Sequence, residues 1–484
     1  MALEIGGLGG LGWNRPANSR RLLETLLIAL AVVAALGGGV LTAAIHPAAG
    51  VAVLIGLMLA AGILVNARLG LMSFILVATL FPFAVIPIPL LGAFKLTFLD
   101  ASLTGLLLAW VFRFLGKPAT GLVRTPVDPL ILAFIGLALM AFTMGVLSVT
   151  AEAARFFLKT LNSILFFFSV TNVIRERKHL DSALRVLMFG AFGASVIALA
   201  LYFMPADTAS RLLNYLVPLG YPSGMVLRYI ASTDTLRAIG TSIDPNILGG
   251  TLVLTVPMGL SMFFGQTSLF TRRRLGLMLA AMGLAMVLTY SRGSLLGLVV
   301  AALFMSWMRY RKLFFLLVVF GLALYFLPFG DVASHLQSGF LVEDQAAAMR
   351  LGEYKDALRL ISQYPWFGVG FGAAPSIDLY VAASSIYLLM AEEMGLVGVC
   401  VFLLTVATAF VYALRALPRL PDSLRTIQTG ALAGVLGAMT AGLFDHHFFN
   451  LNFPHTVALF WLMLALVMVS TRLGMQTTKE GLDS

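Results

Sequence analysis

The sequence predicts an all-α fold: a polytopic membrane helical bundle of about 14 transmembrane helices with a long, partly helical extracytoplasmic loop. Three observations carry this expectation. Hydrophobic residues make up 60% of the 484 and charged residues only 11%, where a soluble domain has about 25% charged residues. The mean hydropathy is +0.96. Apolar runs of about 20 residues, long enough to cross the hydrocarbon core, follow one another with short polar turns and leave no room for a separate globular domain.

The runs begin near residues 22, 47, 69, 98, 128, 151, 182, 246, 276, 295, 313, 384, 427 and 454. The first follows Arg15, Arg20 and Arg21 and extends from Leu22 to Leu41. That exceeds a signal-peptide core, and Ala43-Ala44-Ile45 is a poor cleavage site, so the run is read as a span. Alternate gaps hold Arg68; Arg113, Lys117 and Arg124; Arg175 to Lys178; Arg272 to Arg274; Arg309 to Lys312; and Arg415, Arg419 and Arg425. All are basic, which places these turns and both termini in the cytoplasm. They also account for most of the net charge of +10, so no nucleic-acid partner is needed to explain it. The runs near 276 and 295 are short and separated only by Tyr290-Ser291-Arg292-Gly293-Ser294; a re-entrant pair there would leave the other orientations unchanged. The single cysteine, Cys400, lies in an apolar run and excludes an internal disulfide.

The resulting organisation is a cytoplasmic tail at 1–21, transmembrane helices at 22–204, an extracytoplasmic loop at 205–245, central transmembrane helices at 246–328, a large extracytoplasmic loop at 329–383, C-terminal transmembrane helices at 384–474 and a cytoplasmic tail at 475–484. Pro82, Pro87, Pro89 and Pro257 interrupt spans, which neighbouring helices tolerate. Gly249, Gly250, Gly430, Gly434, Gly437 and Gly442 have the spacing of close helix contacts.

Two outward loops are long, and chemistry is expected on the second, residues 329–383, and on the helix ends facing it, because long ordered loops are more often functional than connective. In the second, Leu351, Tyr354, Leu358 and Ile361 mark one face of a helix ended by Tyr364-Pro365, with Asp344 as its cap and Arg350, Glu353, Lys355 and Asp356 on the other side. A solvated helix resting on the membrane is the alternative reading. Arg292, Arg237, Arg350 and Arg228 lie on outward segments against the positive-inside trend. Guanidinium forks bind phosphate oxygens bidentately, so convergent outward arginines would hold a dianionic lipid diphosphate. The alternative for Arg292 is an interfacial anchor. Asp244-Pro245 at a helix start is a capping signal. Gly368-Val369-Gly370-Phe371-Gly372 lacks the preceding strand and following Lys of a phosphate loop, and is read as a turn carrying backbone amides. Asp445-His446-His447 and His455 lack metal-pair spacing, so no metal site and no cofactor are expected.

The ordered set Arg237-Ala238-Ile239-Gly240, Asp244-Pro245-Asn246, Ser291-Arg292-Gly293, Arg350, Tyr364-Pro365-Trp366-Phe367-Gly368-Val369-Gly370, Tyr387-Leu388 and Ala391-Glu392-Glu393-Met394-Gly395-Leu396-Val397-Gly398 resembles the O-antigen ligase and polymerase family of bacterial envelope glycosyltransferases. The resemblance implies a GT-C-like, metal-independent glycosyltransferase in the inner membrane. It would transfer or polymerise glycan from an undecaprenyl-diphosphate-linked donor to a glycan or lipid acceptor on the periplasmic face. Ligases of this family carry His-Asn just ahead of the Tyr-Leu pair, and that His is their favoured base; here the positions hold Ser384 and Ser385. Serine is no base near neutral pH, which tilts the reading from ligase towards polymerase and leaves Glu353, Asp378 and His447 as candidate bases, Glu353 first because it shares a helix face with Arg350. A lipid-glycan transporter or flippase is the competing function, against which stand the lack of an inverted repeat and of mid-depth ionisable residues. A non-catalytic envelope assembly protein is a further alternative.

Overall fold

The computed structural model of the protein describes residues 56, 58, 62–63, 66–86, 96–116, 121–145, 149–224, 226–230, 235–266, 269–326, 345–371 and 383–483. The expected spans near 22 and 47, Pro87 and Pro89, Asp344 and the candidate base Asp378 lie outside these residues. Within them the chain is almost wholly helical: α1 Ala67–Leu80, α2 Phe98–Gly116, α3 Asp128–Met144, α4 Ala151–Val173, α5 Arg177–Phe203, α6 Ala206–Asn214, α7 Pro245–Phe264, α8 Arg272–Leu288, α9 Arg292–Met308, α10 Lys312–Phe326, α11 Gln345–Gln363, α12 Ile386–Ala416, α13 Asp422–Ala441 and α14 Pro454–Asp483. Strands β1, Arg228–Ile230, and β2, Thr235–Arg237, form one antiparallel hairpin. Among the described residues, α4, α5, α7, α12 and α14 are long and apolar enough to cross a membrane, and α1, α2, α3 and α9 are shorter apolar helices. The other expected starts each fall within five residues of an observed helix start.

The helices assemble around α14, which is buried along nearly all of its apolar length. Its Trp461 sits among Phe134 of α3, Phe167 of α4 and Phe402 of α12. Between α7, α9 and α13 small residues replace this aromatic filling. A side chain at Gly434 would come within 2.6 Å of the Leu254 carbonyl and one at Gly437 within 2.9 Å of the Gly297 carbonyl, so these backbones touch. The glycine series read from the sequence is therefore a helix-packing device.

The basic residues of the alternate turns gather at one end of the bundle and tie helices together there. Arg68 meets His179 at 2.7 Å, Arg309 meets Asp422 at 3.2 Å, Arg177 donates to Ser423 at 3.1 Å, and Arg472 donates to the Thr171 carbonyl at 2.9 Å. The starts of α7, α9, α12 and α14 and the ends of α8 and α13 lie at the opposite end. There the described residues 205–224, 226–230 and 235–245 form a cap. Ala209, Leu213, Tyr221, Val226, Leu227, Ile239 and Ile243 make a second small core with Ala84 and Leu201.

Replacing Gly297 by Val places a side chain against the Gly437 carbonyl. Overpacking of this kind costs about 1–3 kcal/mol. Gly297→Val is expected to lower the melting temperature in detergent or remove the monodisperse peak on gel filtration.

Candidate functional site

Helix α12 breaks at Gly395, where the backbone adopts φ 69° and ψ −179°. The break would leave unpaired the amides of Leu396 and Val397 and the carbonyls of Glu392 and Glu393, which are i to i−4 partners in an unbroken helix. One segment takes up all four. Val369 N–H donates to Glu392 O at 2.8 Å and Gly370 N–H to Glu393 O at 3.0 Å, while Leu396 N–H donates to Pro365 O at 2.8 Å and Val397 N–H to Trp366 O at 3.3 Å. The two motifs 364–370 and 391–398 are thus a single splinted unit. The glycine-rich turn carries backbone amides, and those of Val369 and Gly370 are engaged by the helix break. Gly370 and Phe371 pack against Gly145 just beyond α3, and the Phe371 ring meets Phe157 of α4 at 4.9 Å.

Arginines converge close by. Arg237, at the end of β2, donates Nε to Thr289 O at 2.8 Å and Nη2 to Asn246 Oδ1 at 2.9 Å. It covers the C-terminus of α8, whose Leu288 carbonyl also accepts Ala238 N–H at 2.7 Å. Burial pushes the Arg237 pKa down to about 10; Asp244 and Asp445 oppose the shift, while Arg350 and Arg292 reinforce it, so these charges act on one another. Asp244 caps α7 as expected, its Oδ1 accepting Asn246 N–H at 2.7 Å and Ile247 N–H at 3.3 Å. Arg292 is the first residue of α9, just after its N-cap Ser291, rather than a loop residue. A cation there opposes the helix dipole, an arrangement that a bound anion relieves.

Local strain marks the same place. Among the described residues the non-glycine positions with positive φ are Ile243, at 62°, and Tyr290, at 52°. One immediately precedes Asp244 and the other lies two residues before Arg292. Strained bulky residues persist where the surrounding structure over-determines them, which is characteristic of binding and catalytic sites.

Helix α11 closes the site from the side. Its inward residues are Arg350, Glu353, Tyr354, Ala357, Leu360 and Ile361, whereas Leu351 and Leu358 are 45% and 58% exposed. The expected face of Leu351, Tyr354, Leu358 and Ile361 is therefore corrected. Arg350, Glu353 and Asp356 turn towards the bundle with Ala357 and Leu360, while Leu351, Lys355, Leu358 and Arg359 are exposed. Glu353 Oε2 accepts Ser384 N–H at 3.0 Å. The Tyr354 hydroxyl donates to Leu443 O at 2.9 Å and Ser384 O at 3.1 Å; burial raises its pKa, with Arg350 opposing. Ile386 N–H donates to Gly442 O at 2.8 Å, and Gly293 packs against Ala441 and Phe444. The starts of α9 and α12, the end of α13 and the inner face of α11 consequently form one neighbourhood.

Two candidates fall differently. Arg228 is the cross-strand partner of Arg237, but its side chain is exposed on the rim. His447 is 1% exposed, with its ring against Gly250 of α7 and Nδ1 3.0 Å from Asp445 Oδ1. Asp445 was read only as part of a histidine turn. Burial works to raise its pKa, but His447, by charge and hydrogen bond, together with His446 and Arg350, outweighs burial and holds it well below the usual carboxylate range. Among the described residues no group of three or more His, Cys, Asp and Glu has the geometry to hold a metal ion.

Gly395→Ala would strain a backbone that only glycine adopts freely, costing about 1–3 kcal/mol, and drive the methyl group into the Trp366 carbonyl. Loss of the folded peak is expected. Trp366→Ala, at a side chain that is 67% exposed, should change stability by only about 0.5 kcal/mol, because the splint uses its carbonyl.

A search of curated proteins gave no match. A protein-family model described as O-antigen ligase matches residues 277–403. The matched stretch contains Arg292, Arg350, Glu353 and both halves of the Gly395 splint, and leaves out Arg237 and Asp445. The match covers about a quarter of the chain, and it is this segment that is similar to O-antigen ligases.

Proposed function

We propose that the protein transfers glycan from an undecaprenyl-diphosphate-linked donor to a glycan acceptor on the periplasmic face of the inner membrane, as a polymerase rather than a ligase. The basic end of the bundle is cytoplasmic by the positive-inside rule, so the arginine end faces outward. The observation that carries the reading is the action of the Arg292 and Arg350 charges on Arg237 at that end, beside a segment similar to O-antigen ligases.

In this mechanism the acceptor hydroxyl attacks the anomeric carbon of the donor. A new glycosidic C–O bond forms as the bond from that carbon to the diphosphate oxygen breaks, and the electron pair leaves with the lipid diphosphate. Arginines fixed before the reaction stabilise the charge that develops on those oxygens. Glu353 accepts the hydroxyl proton. Its carboxylate lies against the Ser384 amide, the position where ligases of the family carry His, which supports it over His447, whose ring is enclosed. No metal has a role in these steps. The polyprenyl tail reaches the site laterally from the bilayer.

Arg292→Ala and Arg237→Ala should each reduce polymer formation about a hundredfold or more while the protein still inserts, the scale of removing a preorganised charge donor. Glu353→Gln should lose about 10²–10⁴-fold in rate with donor binding retained. Unchanged polysaccharide length and amount in both arginine variants would overturn the assignment. In a deletion strain, gel analysis should show single repeat units; long lipid-linked chains accumulating there would make it a ligase instead.

A further inference from the structure

The turn between α13 and α14 carries a carboxylate–imidazole pair that neither diphosphate binding nor proton transfer, as described above, uses. Asp445 Oδ1 accepts His446 N–H at 2.8 Å and lies 3.0 Å from His447 Nδ1. His447 is enclosed by Gly250 beneath it and by the Phe448 ring at 4.2 Å, and its carbonyl accepts the Thr456 hydroxyl. The other side of the turn is fixed by the Tyr354 hydroxyl on Leu443 O and by His446 Nδ1, 3.2 Å from Ala383 O.

Asp445 therefore has little freedom, and its direction has a consequence for the arginines. Phe444, next to Asp445, packs against Gly293, next to Arg292, and the Leu443 carbonyl accepts the hydroxyl of Tyr354, one turn from Arg350; the Asp445 charge acts on Arg237, and that of Arg350 acts on it. Among the described residues, however, Asp445 pairs with His447 and bridges no arginine. The carboxylate stands inside the field of the guanidinium groups and is kept from bridging to them. A carboxylate bridging an arginine would occupy the fork that phosphate oxygens need. One held at a distance subtracts charge without occupying that fork.

We propose that Asp445, restrained by His447, is a counter-charge of the arginine cluster beside the helix-capping Asp244, and sets how tightly the lipid diphosphate is retained. Resting on the diphosphate reading above, this makes Asp445 and His447 positioning residues that balance donor capture against release of the polyprenyl diphosphate product. Glycine at 250 leaves the space the imidazole needs.

The test uses the full-length protein in detergent with undecaprenyl diphosphate as probe, measuring its Kd and its inhibition of turnover. Asp445→Asn keeps the shape and removes the charge, and should tighten binding about tenfold, with multiple turnover slowed more than single turnover. Gly250→Ala displaces the His447 ring, frees Asp445 to bridge the arginines, and should weaken binding about tenfold. In the double variant the weakening should vanish, because no carboxylate remains to swing across. His447→Leu serves the same comparison where Gly250→Ala does not fold. Unchanged or weaker binding in Asp445→Asn, or weakening that persists in the double variant, overturns the proposal. Unchanged binding in both Arg237→Ala and Arg292→Ala would instead overturn the diphosphate reading itself.

Discussion

A helix that stops and restarts inside a protein exposes amides and carbonyls that must be paired locally, and at Gly395 the chain provides all four partners from one neighbouring segment. This constraint positions most of the site. The segment 364–370 directly follows α11, so fastening it to α12 fixes where α11 ends and turns Arg350 and Glu353 inward. The same fastening draws Gly370 and Phe371 onto the ends of α3 and α4. Helix α12 has 31 residues, about 46 Å long, against a hydrocarbon core of about 30 Å. Counted from Arg415 at the basic end, the hydrocarbon stops near the break. The N-terminal turns of α12, beginning beside Ser384 and Ser385, therefore stand above the membrane as a wall of the site.

A second constraint acts from the opposite direction. Helices α8 and α9 have 17 residues each, about 25 Å, so with their basic ends at one surface the turn between them stops short of the other. Arg292 and the Thr289 carbonyl held by Arg237 are consequently recessed. Glycines at 297, 434 and 437 bring α7, α9 and α13 close enough to floor that recess with backbone. Charges placed there act at lower effective dielectric than in open water, which makes both the arginines and their counter-charge more consequential.

Much of this was legible in the sequence, and the parts that were not share a cause. Helix starts follow from apolar runs and caps: Asp244-Pro245 read correctly because capping is local. The glycine series read correctly because small residues at helical spacing have few other uses. Arg237, Arg292 and Arg350 stood out by opposing the charge bias of their surroundings, and the structure brings their charges within reach of one another. What periodicity could not decide was which side of α11 faces the protein, since an amphipathic helix at a boundary can bury either face. Pairing between 364–370 and 391–398 was equally hidden, being made of main-chain hydrogen bonds that leave only glycines as a trace. Asp445 was overlooked because its significance depends on the enclosure of His447 against Gly250, a contact between residues almost two hundred positions apart.

The account comes down to whether these guanidinium groups clasp a pyrophosphoryl lipid. An electron cryo-microscopy map of the full-length protein with a non-hydrolysable undecaprenyl diphosphate analogue would test that directly. The two phosphates should lie among Arg237, Arg292 and Arg350, at the start of α9, with the lipid chain leaving sideways into the bilayer. Phosphate density elsewhere on the protein, with the three arginines unaltered and unoccupied, would contradict it.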